Sequence, residues 1–244
     1  MSLFLKMETF VYKNFIVPLQ GKHTFDFVSE HYQKGDRVLD FGCGIGSNSK
    51  LFDPGDYIGA EVDESRVESA RMKYPESQFE QIPFISSEND KIPFEDNSFD
   101  IVFISLCLHH IDSSTCKLLL KEFKRILNQN GKIIGIEPCI LPKKYFSNVF
   151  MNIIDAGDYI LSIEEYEKIY SSESYNINHI DIVTTYGYHL WQYRAKPNEL
   201  NTKSYIGGMT KYRKIIRPIH LTTLYGKWVI LFYLLYLMTV PMIN

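Results

Sequence analysis

Apolar positions along the chain fall into short runs separated by longer, helically spaced stripes. RVLDFG (37–42), DYIGAEV (56–62), QFEQIPFI (78–85), FDIVFISL (99–106) and GKIIGIEP (131–138) read as strands. The unbroken apolar run at 99–106 is typical of a central parallel strand covered on both faces. Between them, residues 22–33 predict a leading helix and 65–74 a helix whose Val67, Ala70 and Met72 make a mixed face. Residues 113–131 predict a third, with Leu118, Leu119, Phe123, Ile126 and Leu127 at helical spacing, Ser113 or Ser114 to cap its start and Gly131 to end it. This alternation predicts an α/β fold, doubly wound around a mostly parallel sheet. After the fifth strand the pattern changes. YFSNVFMNII and SIEEYEKIY are both helical, so 141–175 reads as a helical lid insertion. Residues 176–197 predict two strands joined at Gly187, closing a seven-stranded sheet with an antiparallel hairpin.

Composition narrows the class. With 244 residues, 45% of them hydrophobic, the chain can bury a sizeable core. Cys43, Cys107, Cys116 and Cys139 form no CxxC pair, so neither a zinc site nor a disulfide framework is indicated, and free cytosolic thiols are expected. Charge divides the chain at about residue 200. After Glu199 there is no acid, while Lys203, Lys211, Arg213, Lys214, Arg217 and Lys227 remain; the preceding body carries 20 basic against 29 acidic groups. An acidic body argues against a nucleic-acid groove, which needs concentrated positive charge. The opening MSLFLKMETF has too short an apolar run for a signal peptide, and the body is expected in the cytoplasm.

The candidate chemistry begins at VLDFGCGIGSN (38–48), where Gly42, Gly44 and Gly46 follow the first strand. Such a loop lets a ligand approach the backbone and its amide N–H groups. Dinucleotide-binding sheets use GxGxxG, but here Ser47 stands at the third glycine position and Asp40 precedes the loop. A carboxylate there is poorly placed beside a pyrophosphate and suits a ligand bearing an ammonium group. Glu61, ending the second strand, is placed to accept hydrogen bonds from ribose hydroxyls.

Together these features resemble the class I S-adenosylmethionine-dependent methyltransferases. The family's VLDxGCGxG is matched by Val38–Gly46, its strand-end acid by Glu61, its LPFxDxSFDxV by Ile92–Val102, and its histidine pair after the fourth strand by His109 and His110. The likeness covers about residues 35–140, with looser agreement to Pro197, and implies a methyltransferase domain over 1–200 followed by a tail at 201–244. By resemblance, Asp40, Gly42, Cys43 and Gly44 meet the methionine part of S-adenosylmethionine, Glu61 and Val62 the ribose, and Glu88 or Asn89 the adenine amino group. Ser105 and Leu106 lie beside the transferable methyl.

Absences narrow the acceptor. Enzymes that methylate base or glutamine-amide nitrogens carry Asn or Asp before Pro-Pro after the fourth strand; Ser105–Leu106–Cys107 stands here instead. A small-molecule acceptor is expected, with His109 and His110 as candidate bases for a hydroxyl or phenol, or one of them packed as a structural histidine. Glu137 is placed to orient the acceptor or stands in solvent. A nicotinamide-dependent dehydrogenase and a cofactor-binding module without turnover are the alternatives, the first opposed by Asp40 and Ser47. In the tail, KYRKIIRPIH precedes WVILFYLLYLMTVPMI (228–243). A spanning helix needs about 20 apolar residues, roughly 17 at least. A run of 16 that contains a proline falls short of that. The tail therefore reads either as a peripheral contact with an anionic membrane or as apolar chain packed on the core or in a homodimer.

Overall fold

The computed structural model describes residues 17–155, 157–185 and 188–198, so the Gly187 turn and the 201–244 tail lie outside the described residues. Its elements run α1 (Val17–His31), β1 (Val38–Phe41), a 3-10 helix (Ser47–Leu51), β2 (Tyr57–Glu61), α2 (Glu64–Lys73), β3 (Gln78–Gln81) and β4 (Phe99–Ser105). A second 3-10 turn (Leu108–His110) leads to α3 (Ser113–Ile126), β5 (Leu127–Ile140), α4 (Tyr145–Ile154), β6 (Leu161–Ser162), α5 (Ile163–Ser172), β7 (Tyr175–Thr185) and β8 (Tyr188–Pro197). The main sheet has the order β3-β2-β1-β4-β5-β8-β7, and the two-residue β6 pairs with β5 outside that path. β1 to β5 are parallel; β8 runs antiparallel to both neighbours.

Burial explains this order. Val38, Leu39, Ile101, Val102, Phe103, Ile104, Ile133 and Ile134 are wholly buried, because helices cover both faces of the central strands. One face packs α1, α2 and α4 through Phe27, Val67 and Met151; the other packs α3 and α5 through Leu119, Phe123, Tyr166 and Tyr170. α5 is thus a core helix, not part of a lid. Its Tyr166 ring stacks 5.6 Å from Trp191, and Tyr170 shares a 2.7 Å hydrogen bond with Tyr193.

Several boundaries differ from the sequence expectation. The glycine loop leads into a five-residue 3-10 helix, an element that the apolar pattern does not mark. α3 is capped by Asp112, whose Oδ1 accepts from Ser114 N and Thr115 N at 2.9 and 3.1 Å, and not by either serine. α3 ends at Ile126, because Leu127 already pairs with Phe99 across a bulge that precedes Ile101–Lys132. The third strand stops at Gln81; residues 82–98 have no regular structure. Arg125 holds the far end of that segment, donating to the carbonyls of Ile92 and Phe94 and to Asp96 and Glu122.

Candidate functional site

The strand order reverses between β1 and β4, which opens a crevice at their carboxyl ends, where ligands bind in open α/β sheets. A cavity of about 360 Å³ lies there. Phe41 and Gly42 form its floor at the end of β1, and Ala60, Glu61 and Val62 one flank at the end of β2. Ile82–Ile85 form a second wall, Leu106, Cys107, His110 and Ile111 a third, and Thr115 and Leu119 of α3 close it. Arg66 stands at the edge. The walls are mostly apolar and the polar groups few, as is usual for a small-molecule site.

Gly42 has φ 73°, and a methyl in place of its hydrogen would overlap Cys107 Sγ, so the floor can approach the β4 loop only with glycine there. Leu106 takes φ 53°, an uncommon conformation for a branched side chain, held by its N–H to Ile136 O at 2.9 Å. Glu61 is buried. Its Oε1 accepts from the N–H groups of Val62 and Asp63 at 2.9 and 3.2 Å, and its Oε2 accepts from Gly44 N at 3.0 Å. A carboxylate has about four acceptor sites, so Oε2 keeps one for a ligand hydroxyl.

Asp40 does not line the cavity. It is buried behind the loop, where Tyr57 Oη donates to Oδ2 at 2.8 Å; Oδ1 makes no sound hydrogen bond, although Asn48 lies near enough to favour the charged form. Burial raises its pKa to about 7, against the opposing effect of Tyr57 and Asn48.

The two histidines occupy different environments. His109 is buried, with Nδ1 at 2.9 Å from Glu137 Oε2 and Nε2 at 3.3 Å from Asp155 Oδ1. Burial alone would lower its pKa, but Asp155 and Glu137 outweigh that and raise it to about 9, so both ring nitrogens donate at neutral pH. His110 lines the cavity. Desolvation first, and then the charge of His109 with ring centroids 4.1 Å apart, lower its pKa and keep it neutral.

Glu137 is fully buried and does not face an acceptor or solvent. It accepts from the N–H groups of Cys107 and Leu108 at 2.9 and 2.8 Å, and from His109 N at 3.4 Å. A carboxylate inside the sheet thus shapes the cavity's third wall. Asp155, beyond α4, accepts from Gly157 N at 2.6 Å and from Tyr188 Oη, while Tyr159 N donates to the His109 carbonyl at 2.9 Å. A Cβ added at Gly157 would overlap the His109 ring and crowd its carbonyl, so there is no room there for a side chain.

Of the residues singled out by sequence, Gly42, Glu61, Val62, Leu106 and His110 meet at the cavity. Gly44 acts through its N–H on Glu61, Cys43 is buried beneath the loop, and Ser105 is half-buried at the end of β4. Glu88 is on the outer surface, paired with Lys121 at 2.6 Å, and the exposed Asn89 is likewise off the cavity, since the irregular 82–98 segment turns them outward. Asp90 instead ties Ser86 and Ser87. Arg66, Ile82–Ile85, Ile111 and Thr115 were not anticipated. Only the general placement of sites at strand carboxyl ends could have suggested them.

A family model described as a methyltransferase domain matches residues 39–135. The chain is similar to a malonyl-[acyl-carrier protein] O-methyltransferase of Legionella pneumophila, 32% identical over 99 residues, covering 39% of this chain and 34% of that one. It is also similar to a demethylmenaquinone methyltransferase of Lactococcus lactis, 29% identical over 149 residues and covering 57% and 58%. It therefore spans less than two thirds of either relative. Among solved structures, the YcgJ protein of Bacillus subtilis superposes with TM-score 0.58 at 17% identity, covering 73% of this chain and 99% of that one. A geranyl diphosphate C-methyltransferase of Streptomyces coelicolor gives 0.56 at 14%, covering 73% and 79%. These share the fold.

Proposed function

We propose, from the premise that residues 39–135 form a class I S-adenosylmethionine-dependent methyltransferase domain, that this chain methylates a small-molecule acceptor. The observation that carries this reading is the cavity itself, with an open acceptor site on Glu61 at one flank and apolar walls around the rest. The relatives whose names specify an acceptor act on small or carrier-bound molecules, which agrees with it. When bound, S-adenosylmethionine supplies an electrophilic methyl on a sulfonium. Glu61 takes a ribose hydroxyl on Oε2, while Val62, Ile82 and Ile85 enclose the adenine and exclude water. Leu106 and Cys107 form the wall beside the reacting atoms, where alignment and water exclusion supply much of the rate. His110, neutral and on the cavity, receives the acceptor's proton when the acceptor is a hydroxyl or phenol. Incubation with methyl-labelled cofactor and a metabolite extract tests the reading; labelled product supports it, and tight binding of a nicotinamide dinucleotide instead rejects it.

Glu61→Ala removes hydrogen bonds to a charged group worth about 1.5 to 3 kcal/mol, so affinity for S-adenosylhomocysteine will fall roughly ten- to hundredfold. Calorimetry on the folded variant measures this, and unchanged affinity removes Glu61 from the cofactor site.

Asp40 gives a second expectation. With its pKa raised to about 7, it is largely protonated at pH 6, and although it lies behind the loop and not on the cavity, a cofactor ammonium seated over Gly42 acts through that thin backbone layer to favour its ionised form. Binding at pH 6 will therefore release protons. Titrations in buffers of different ionisation enthalpy will show this in the parent and not in Asp40→Asn; equal values in both place the ammonium elsewhere.

A further inference from the structure

The turn entering α4 breaks several local rules at once. Lys143 adopts φ 64°, uncommon for a residue with a side chain. Lys144 stands at the N-cap without a side-chain cap, and no acidic residue occupies the first turn, so two cations sit where the helix dipole disfavours them. Immediately after them Tyr145, Phe146 and Val149 are 68%, 83% and 57% exposed on a helix with no charged residue. The turn is nevertheless built. Asn148 Nδ2 donates to Leu141 O at 2.8 Å and its Oδ1 accepts from Leu141 N at 3.2 Å, while Met151 anchors the inner face in the core. The segment beyond α4 is fixed to the cavity wall through Asp155 and His109. Local preferences are given up to hold an apolar, lysine-edged face outward, a departure expected at functional surfaces.

We propose that this face docks on an anionic lipid membrane. Aromatic side chains favour the headgroup boundary, and lysines beside them are drawn to anionic lipid. Among the described residues no helix is long and apolar enough to cross a membrane, and α4, with an exposed apolar face outward and Met151 buried inward, has the two-faced character that suits a helix lying in the interface. The contact itself stands apart from the methyltransferase reading. It rests on that reading only for the consequence that an amphiphilic acceptor reaches the cavity from the lipid side.

The test is co-sedimentation of the full chain with mixed phosphatidylcholine–phosphatidylglycerol vesicles, against pure phosphatidylcholine. The parent will bind the mixed vesicles in a salt-sensitive manner. The double variant Lys143→Gln/Lys144→Gln will lose roughly thirtyfold in partitioning and Phe146→Ser about tenfold. S-adenosylhomocysteine affinity, measured on the same preparations, will be unchanged, which separates the membrane claim from the enzymatic one. Binding of both variants as tight as the parent's assigns the contact to other parts of the chain and overturns the proposal. A parent that stays in the supernatant, or a dimer that Phe146→Ser dissociates, overturns it as well.

Discussion

Glu137→Ala will destabilise the protein by about 3–5 kcal/mol, the usual cost of breaking a buried charged pair by removing one partner. The carboxylate is fully buried and gathers three backbone N–H groups and the His109 ring. Alanine leaves these donors in a space closed to water, with the His109 cation facing only Asp155. At roughly 2–4 °C per kcal/mol for a chain of this size, thermal unfolding will fall by about 10 °C. Glu137→Gln keeps the volume and one acceptor but turns an amide NH2 toward the donors, so its loss will be smaller. Denaturant midpoints of the three proteins decide it. An alanine variant within 1 kcal/mol of the parent, on the scale of an ordinary single hydrogen bond, would mean that the cluster contributes no more than a neutral contact.

That role could not be read from the sequence. Glu137 sits in GKIIGIEPCI, where a strand-end carboxylate is ordinarily solvated, and its partners at 107–109 lie some thirty residues earlier in the chain. Runs that satisfy themselves locally were legible. The apolar stretch at 99–106 became the buried β4, and the acid fifteen residues beyond Gly46 came to lie against the glycine loop because β1 and β2 pair in parallel register. α5 illustrates a signal present but outweighed. Tyr166, Ile169 and Tyr170 fall on one helical face and are buried, yet their position after the fifth strand suggested a lid. Glu88 illustrates the opposite case. Residues 82–98 have no periodicity to fix which side chains turn inward, and a motif's spacing does not survive such a segment.

The adjacent histidines give the other large effect, because a step of one residue places them in opposite protonation states. His110→Asn will lower the rate of methyl transfer to a hydroxyl or phenol acceptor by roughly a hundredfold at neutral pH, the usual worth of a positioned base, with cofactor affinity retained. The parent's rate will also fall on the acid side as His110 takes up a proton, below pH 6.5 because its pKa is lowered. His109 behaves as a structural cation. Its folded pKa, raised to about 9, lies above the ordinary value near 6.5, so its contribution to stability is fully present below pH 6.5 and is lost as pH rises to 9. His109→Asn will therefore lower the unfolding free energy at pH 6 and flatten its decline between pH 6.5 and 9, while His110→Asn will leave that decline as it is and lessen the loss of stability below pH 6.5, where the lowered pKa of His110 makes the unfolded chain the better proton acceptor. Should the His110 variant turn over at the parent's rate, alignment alone drives the chemistry. If His109→Asn instead abolishes turnover without moving the stability curve, the two roles belong to the opposite residues.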